Sequence, residues 1–224
     1  MCTDLAAANH YKLDHLKSPE IWSLVQQARV YYVGGYHLTV CVPAVMALAE
    51  EAAAKNKIFI ISLSAPFIPQ FFKEPLDQTA PYWDYVIGNE TEALSYAESH
   101  DLKTTSIREI ASHLALLPKA NAARPRTVII TQGTDPTIVA VSPASPSDTQ
   151  KPTITEFPVH AIAESEINDT NGAGDAFAGG LVAGIVAGDP LEKAVDMGHW
   201  LASLSIRLLG PSYPFPKQSY TPQT

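Results

Sequence analysis

Residues Lys57–Leu63 read KIFIISL, a nearly continuous apolar run. A half-exposed strand alternates apolar and polar positions. This run does not, so it is expected to be buried on both faces, as in a parallel sheet covered by helices. Its surroundings repeat the theme. Ala28–Val33 (ARVYYV) reads as a strand ending in Gly34-Gly35. Pro43 opens a helical stretch to Lys55, with Val45, Leu48, Ala49 and Ala52 on one face. Tyr85–Ile87 is a short strand, followed by a helix from Glu90 to Ser99. Ser106–Leu117 is a further helix, stopped by Pro118. Arg126–Thr131 and Thr137–Val141 are strands, with Gly133 and Pro136 marking the turn between them. Such alternation predicts an α/β fold: a mostly parallel sheet with helices on both faces.

Other segments are less regular. Pro66, Pro69 and Pro75 interrupt the stretch after KIFIISL, and Ser142–Pro152 reads as an exposed Ser/Pro-rich loop. Thr153–Val159 is expected to be a strand. Gly172–Gly188 is a small-residue apolar helix, and Pro190–Leu209 carries Leu191, Ala194, Val195, Gly198, Leu201, Ala202, Ser205 and Leu208 at helical spacing. Residues 1–27 contain only a short Leu5–Ala8 strand and a Pro19–Gln27 helix, unlike the opening strand–helix unit of a doubly wound domain. There is no internal repeat and no sign of a second domain.

Composition narrows the partners. With 15 Lys+Arg against 23 Asp+Glu the net charge is −8, which argues against a nucleic-acid backbone binder. It leaves room for one phosphate site built from backbone N–H groups. Cys2 and Cys41 are the only cysteines, too few for a disulfide framework or a four-thiolate zinc site. No apolar signal core opens the chain, and the longest apolar run, Ala176–Gly188, is shorter than the ~20 residues that span a bilayer. The expectation is a protein of the cytoplasm, with a nuclear share allowed, and no membrane partner.

The most informative stretch is Asn168–Gly180, reading N-D-T-N-G-A-G-D-A-F-A-G-G. Gly172 and Gly174 allow close approach of the backbone to a ligand, and a helix starts directly after them. Free N–H groups at a helix start, with the positive end of the dipole, form an anion site. Asp175 sits in that first turn, where the dipole stabilises a carboxylate. It suits a group that accepts a hydroxyl proton late in phosphoryl transfer through a loose transition state. A capped helix packed tightly through Gly and Ala would leave the same local trace. Two other readings fail. No G-x-x-x-x-G-K-[ST] occurs, and Phe177 stands where a dinucleotide fingerprint requires Gly or Ala.

The segment resembles the signature of the ribokinase-like (PfkB-type) sugar and nucleoside kinases, and its D-T-N-G-A-G-D-A-F form is similar to that of the adenosine kinases. The resemblance implies that Gly172, Ala173 and Gly174 form an anion hole for the transferred phosphoryl group, and that Asp175 is the base acting on the adenosine 5′-hydroxyl. It implies ATP as donor, AMP as product and Mg2+ as cofactor. Asn89-Glu90-Thr91-Glu92 matches the N-E-T-E of adenosine kinases, where N-x-x-E acts near magnesium largely through water; Asn with Glu three residues on is equally a capping box. Thr131-Gln132-Gly133 resembles a T-x-G lying against the ATP phosphates. Similar sequences often carry Arg next; here Thr134 supplies no cation. Asn171 and His199 join Thr131 and Gly133 as ATP-binding positions by the same resemblance, His199 within a helix that lines the adenine pocket.

Leu63–Ile68 (LSAPFI) and Gly35–Thr39 (GYHLT) resemble adenosine-kinase segments, placing Tyr36 and Phe67 at the nucleoside, while His37 fits a structural histidine better. The likeness runs from Leu5 to Phe215. It implies a ribokinase-like three-layer fold entered partway, residues 1–224 being the C-terminal part of one kinase domain without the first strands, the lid and the ribose-holding residues. A full-length monomer acting on adenosine and ATP is the implied protein. Another ribokinase-like kinase, or a non-catalytic remnant, are the alternatives. The chain as it stands is expected to keep ATP affinity without turning over adenosine.

Overall fold

The computed structural model describes residues 6–144 and 151–222. In chain order the helices are α1 (Leu13–Leu16), α2 (Pro19–Gln27), α3 (Val42–Ala54), α4 (Phe67–Phe71), α5 (Lys73–Thr79), α6 (Glu90–Ser99), α7 (Ile107–Leu116), α8 (Ala173–Ala187) and α9 (Leu191–Ser205). The strands are β1 (Val30–Gly34), β2 (Ile58–Ser62), β3 (Tyr85–Asn89), β4 (Thr127–Gln132), β5 (Asp135–Val141) and β6 (Thr153–Phe157). They form a six-stranded sheet in the order β1-β2-β3-β4-β5-β6. By its contacts the chain divides into two units. Residues 1–130 with 138–155 make the first, and 131–137 with 156–224 the second.

In the first unit β1, β2 and β3 are parallel, with Gly34 opposite Ser62 and Ser62 opposite Ile87. The crossover helices α3 and, beyond α4 and α5, the strand entry at Tyr85 follow the expected alternation. Successive residues Phe59, Ile60 and Ile61, like Val128, Ile129 and Ile130, are all fully buried, so both faces of the central strands are covered. One face packs Phe59, Ile61, Val86, Val128 and Ile130 with Val45 and Ala49 of α3, Tyr96 of α6 and Ile110 of α7. The edge strands differ: β1 alternates buried and exposed positions. β4 and β5 form a hairpin. Arg126 N donates to Ser142 Oγ at 2.9 Å and Ser142 N donates to Arg126 O at 2.9 Å at its open end.

Arg126 is buried beneath this hairpin. Its guanidinium donates to five carbonyls: Trp83 (3.1 Å), Leu114 (3.1 Å), Leu117 (2.6 Å), Ala80 (2.7 Å) and Pro118 (3.0 Å). A planar fork with five donors can saturate itself on backbone oxygens in this way. Burial nevertheless lowers its pKa to about 10.

Two expectations change. The Leu5–Ala8 strand does not form over its described part: Ala6–His10 is a 3-10 turn closed by Tyr11 N donating to Ala8 O, while Leu5 lies outside the described residues. Alanine and asparagine have little preference for the pleated conformation. The proline-interrupted segment holds α4 and α5, each with proline at its third residue, Pro69 and Pro75. First-turn N–H groups have no helical acceptor, so proline forfeits nothing there. The centre of the Ser/Pro-rich loop, 145–150, lies outside the described residues.

In the second unit α8 and α9 pack closely. A Cβ on Gly180 would stand 2.3 Å from Met197 O, and one on Gly198 would stand 2.8 Å from the Phe177 ring. The α9 surface is held by His160, whose Nε2 lies 2.6 Å from Asp196 Oδ1, and by the Tyr220 hydroxyl, which donates to the other carboxylate oxygen. Among the described residues no helix is long and apolar enough to cross a membrane.

Candidate active site

The first unit gathers residues at the carboxyl ends of its parallel strands, where open α/β sheets hold ligands. Tyr36 follows β1, Phe67 follows β2, and Asn89 ends β3. The Tyr36 and Phe67 rings meet edge-on, centroids 5.7 Å apart, and both are half-buried. The loop between them is tied by Gly35 N, which donates to Ser64 Oγ at 2.8 Å. His37 packs edge-on against Tyr11 at 5.2 Å, and burial lowers its pKa, in keeping with a structural role.

Asn89 and Glu92 form a complete capping box on α6. Asn89 Oδ1 accepts Glu92 N at 2.9 Å, and Glu92 Oε2 accepts Asn89 N at 3.0 Å. Glu92 Oε1 also accepts Asn89 Nδ2 at 3.0 Å, and the residue is 6% exposed. Both carboxylate oxygens are therefore committed within the box. Direct metal ligation would break it; an oxygen's second lone pair can still receive a metal-bound water. Among the described residues no group of three or more His, Cys, Asp or Glu is arranged to hold a metal.

Glu92→Gln tests the box. Gln keeps an acceptor for Asn89 N, but its NH2 faces the Asn89 Nδ2 donor. Losing that one bond is expected to cost about 1 kcal/mol. The melting temperature should fall by about 2–4 °C. An unchanged value would mean that solvent replaces the bond fully.

The second unit holds the N-D-T-N-G-A-G-D segment. Gly172 is the N-cap of α8 with φ 81°, a left-handed conformation, and a Cβ there would also stand 2.9 Å from Pro211 Cβ. Asp169, to which the sequence reading gave no role, fixes this turn. Its Oδ1 accepts Asn171 N at 2.9 Å and its Oδ2 accepts Gly210 N at 2.9 Å. Those backbone N–H groups, Asn171 first, pull its pKa down. The Asn171 bond is a local Asx-type pattern visible in sequence; the partner at Gly210 is 41 residues away and is not.

Ala173, Gly174 and Asp175 form the first turn of α8. A Cβ on Gly174 would meet nothing within 4 Å. Its φ is not positive either, so the fold itself does not require glycine at 174. Asp175 is exposed, and its carboxylate makes no hydrogen bond or ion pair with any described residue. Thr131 and Gly133 stand at the β4–β5 turn, where Gly133 has φ 59° and Gln132 Nε2 donates to Pro136 O at 2.6 Å.

A family model described as pfkB family carbohydrate kinase matches residues 1–218. The chain belongs to that family. Among relatives of this pfkB-family chain, the Schizosaccharomyces pombe adenosine kinase is 47% identical over 220 residues, covering 98% of this chain and 62% of the relative. Adenosine kinase 1 of Arabidopsis thaliana is 41% identical over 214 residues, covering 96% and 60%. The crystal structure of Anopheles gambiae adenosine kinase with P1,P4-di(adenosine-5) tetraphosphate superposes with a TM-score of 0.83 at 38% identity, over 92% of this chain and 60% of that one. The chain thus spans about three-fifths of the length of these relatives. Its α/β sheet with covering helices is the ribokinase-like fold expected from the sequence.

Among the expected nucleotide-binding positions of this pfkB-family chain, His199 is the most enclosed. His199 is 6% exposed, its Nε2 lies 2.8 Å from Thr137 Oγ1, and its ring rests on Phe177 at 5.3 Å. Within the second unit it ties α9 to Thr137 and to α8. Burial, with nearby His160, lowers its pKa from 6.5 to about 4. The unfolded chain therefore binds this proton first as the pH falls. Stability from the neutral imidazole is complete above pH ~6.5 and is lost towards pH ~4, amounting to about 2 kcal/mol by pH 5. Between pH 7 and 5 the melting temperature should drop about 4–8 °C more in the parent than in His199→Gln. Parallel curves would remove His199 as the titrating group.

Proposed function

We propose that these residues supply the phosphoryl-transfer portion of an adenosine kinase, the C-terminal part of one ribokinase-like domain that moves the ATP γ-phosphate to the adenosine 5′-hydroxyl. The observation that carries the reading is Gly174: a glycine with open space beside it, in the first turn of a fifteen-residue helix, followed by an exposed and unpaired carboxylate. Packing explains Gly180 and Gly198 but not this one. Space and free N–H groups at a helix start are what an anion needs.

In this reading the N–H groups of Gly172, Ala173 and Gly174 hold the transferring phosphoryl group, and Asp175 accepts the hydroxyl proton once the bond to the leaving oxygen is largely broken. Asp169 and Pro211 keep the loop in place. Asn171, Thr131 and Gly133 face the ATP phosphates, and Tyr36 and Phe67 offer aromatic surface to the adenosine base. Magnesium neutralises phosphate charge when bound. Asn89 and Glu92 would receive it through its waters. The names of similar proteins support adenosine as the acceptor, and a cytoplasmic, monomeric full-length enzyme follows the same resemblance.

The test is calorimetric binding of MgATP to the 224-residue chain, with ADP release measured against adenosine, inosine, ribose and fructose. MgATP should bind, and any turnover should be greatest with adenosine. Failure to bind MgATP, or a sugar outperforming adenosine, overturns the reading.

A further inference from the structure

At the end of α6 away from Asn89 and Glu92, the first unit contains a cavity of about 400 Å³. It opens between α5, the end of α6 and the end of α7, and none of its lining residues takes part in the proposed phosphoryl transfer. We propose that this cavity binds a small, uncharged, planar molecule whose hydrogen-bond acceptor is met by the Tyr96 hydroxyl.

Tyr96 lines the cavity and is 1% exposed, yet its hydroxyl makes no hydrogen bond with any described residue. The oxygen is reached from the cavity and not sealed in the core, so its partner is supplied by what enters the cavity. Burial, and then the charge of Asp77, raise its pKa, so the hydroxyl stays protonated and able to donate. Its ring is held against rotation by the His100 imidazole, stacked at 3.8 Å and 18°. His100 itself is spent: Nδ1 lies 2.8 Å from Tyr96 O, and Nε2 lies 2.7 Å from Asp77 Oδ1.

Charge decides the class of guest. Behind the wall, the Arg126 cation donates to the carbonyls of Ala80, Leu117 and Pro118, all three of which line the cavity. A buried cation there disfavours a cationic guest. At the rim Asp77, with a side chain 43% exposed, disfavours an anion. Leu102, Leu117, Pro81 and Pro118 provide an apolar lining. The volume falls within the ~300–1,000 Å³ of small-molecule sites.

The test uses three single-ring probes on the whole chain: benzamide (neutral, with an amide acceptor), benzoate and benzylamine. In 1H–15N NMR titrations at pH 7, benzamide should shift resonances of residues 96–102 and 113–118 saturably, with a Kd on the order of 1 mM. Benzoate and benzylamine should each bind at least about fivefold more weakly. Tyr96→Phe keeps the ring and should weaken benzamide about fivefold or more without loss of the folded spectrum. Leu102→Phe, which narrows the cavity, should weaken it too and serves if Tyr96→Phe does not fold. Equal affinity for the three probes, shifts confined to other residues, no saturable shift, or undiminished binding to Tyr96→Phe would each overturn the proposal. The last result would mean that water satisfies the hydroxyl.

Discussion

Asp175→Asn, made in a full-length protein that carries these residues and turns over adenosine, should lower adenosine-dependent ADP release at least ~10²-fold, the lower range for loss of a general base. Binding of MgATP should hardly change, because the N–H groups at the start of α8 do not depend on the Asp175 side chain. Stability should hardly change either. The carboxylate is exposed and unpaired among the described residues, so only its favourable position near the helix dipole is lost. That is worth about 0.3–1 kcal/mol, or no more than about 4 °C in melting temperature. The assay couples ADP formation to a spectrophotometric signal at saturating substrates. Near-normal turnover would remove Asp175 from the chemistry.

Two glycines of the same helix should respond in opposite ways. Gly174→Val places its branched side chain in open space beside the first turn of α8, since a Cβ there meets nothing within 4 Å. Folding should survive, while MgATP binding and transfer fall by at least ~10²-fold as the anion site is crowded. Gly180→Val puts a Cβ 2.3 Å from Met197 O, a backbone atom that cannot turn aside. α8 and α9 would have to part, with overpacking of roughly 1–3 kcal/mol or more. The melting temperature should fall by about 2–12 °C. Thermal melts of both variants beside MgATP titrations decide the matter. If Gly174→Val unfolds as Gly180→Val does, position 174 is a packing residue and the anion site fails.

This contrast shows where sequence reasoning stopped. From the string alone, Gly172, Gly174, Gly180 and Gly198 look alike, and tight helix packing explains them as readily as a ligand does. The structure separates them into a left-handed cap, an open position and two contact points. The N-E-T-E motif behaves differently. Its capping box was legible because both partners lie within one turn, but the commitment of both Glu92 oxygens to Asn89 required coordinates. His199 was an expected ATP-binding position only through the resemblance of its helix. Its burial depends on Thr137, 62 residues earlier in the chain.

Apolar periodicity, turn residues and helix caps act over a few residues. The sequence by itself therefore determined the strand–helix alternation, the doubly buried central strands, the start of α8 and the placing of Asp175 in its first turn. Burial and hydrogen-bond satisfaction are settled only when distant segments close on one another. Tertiary structure alone decided that Asp169 holds Gly210, that Arg126 is saturated by carbonyls from two separate segments, 80–83 and 114–118, and that the Tyr96 hydroxyl faces a cavity with no partner among the described residues.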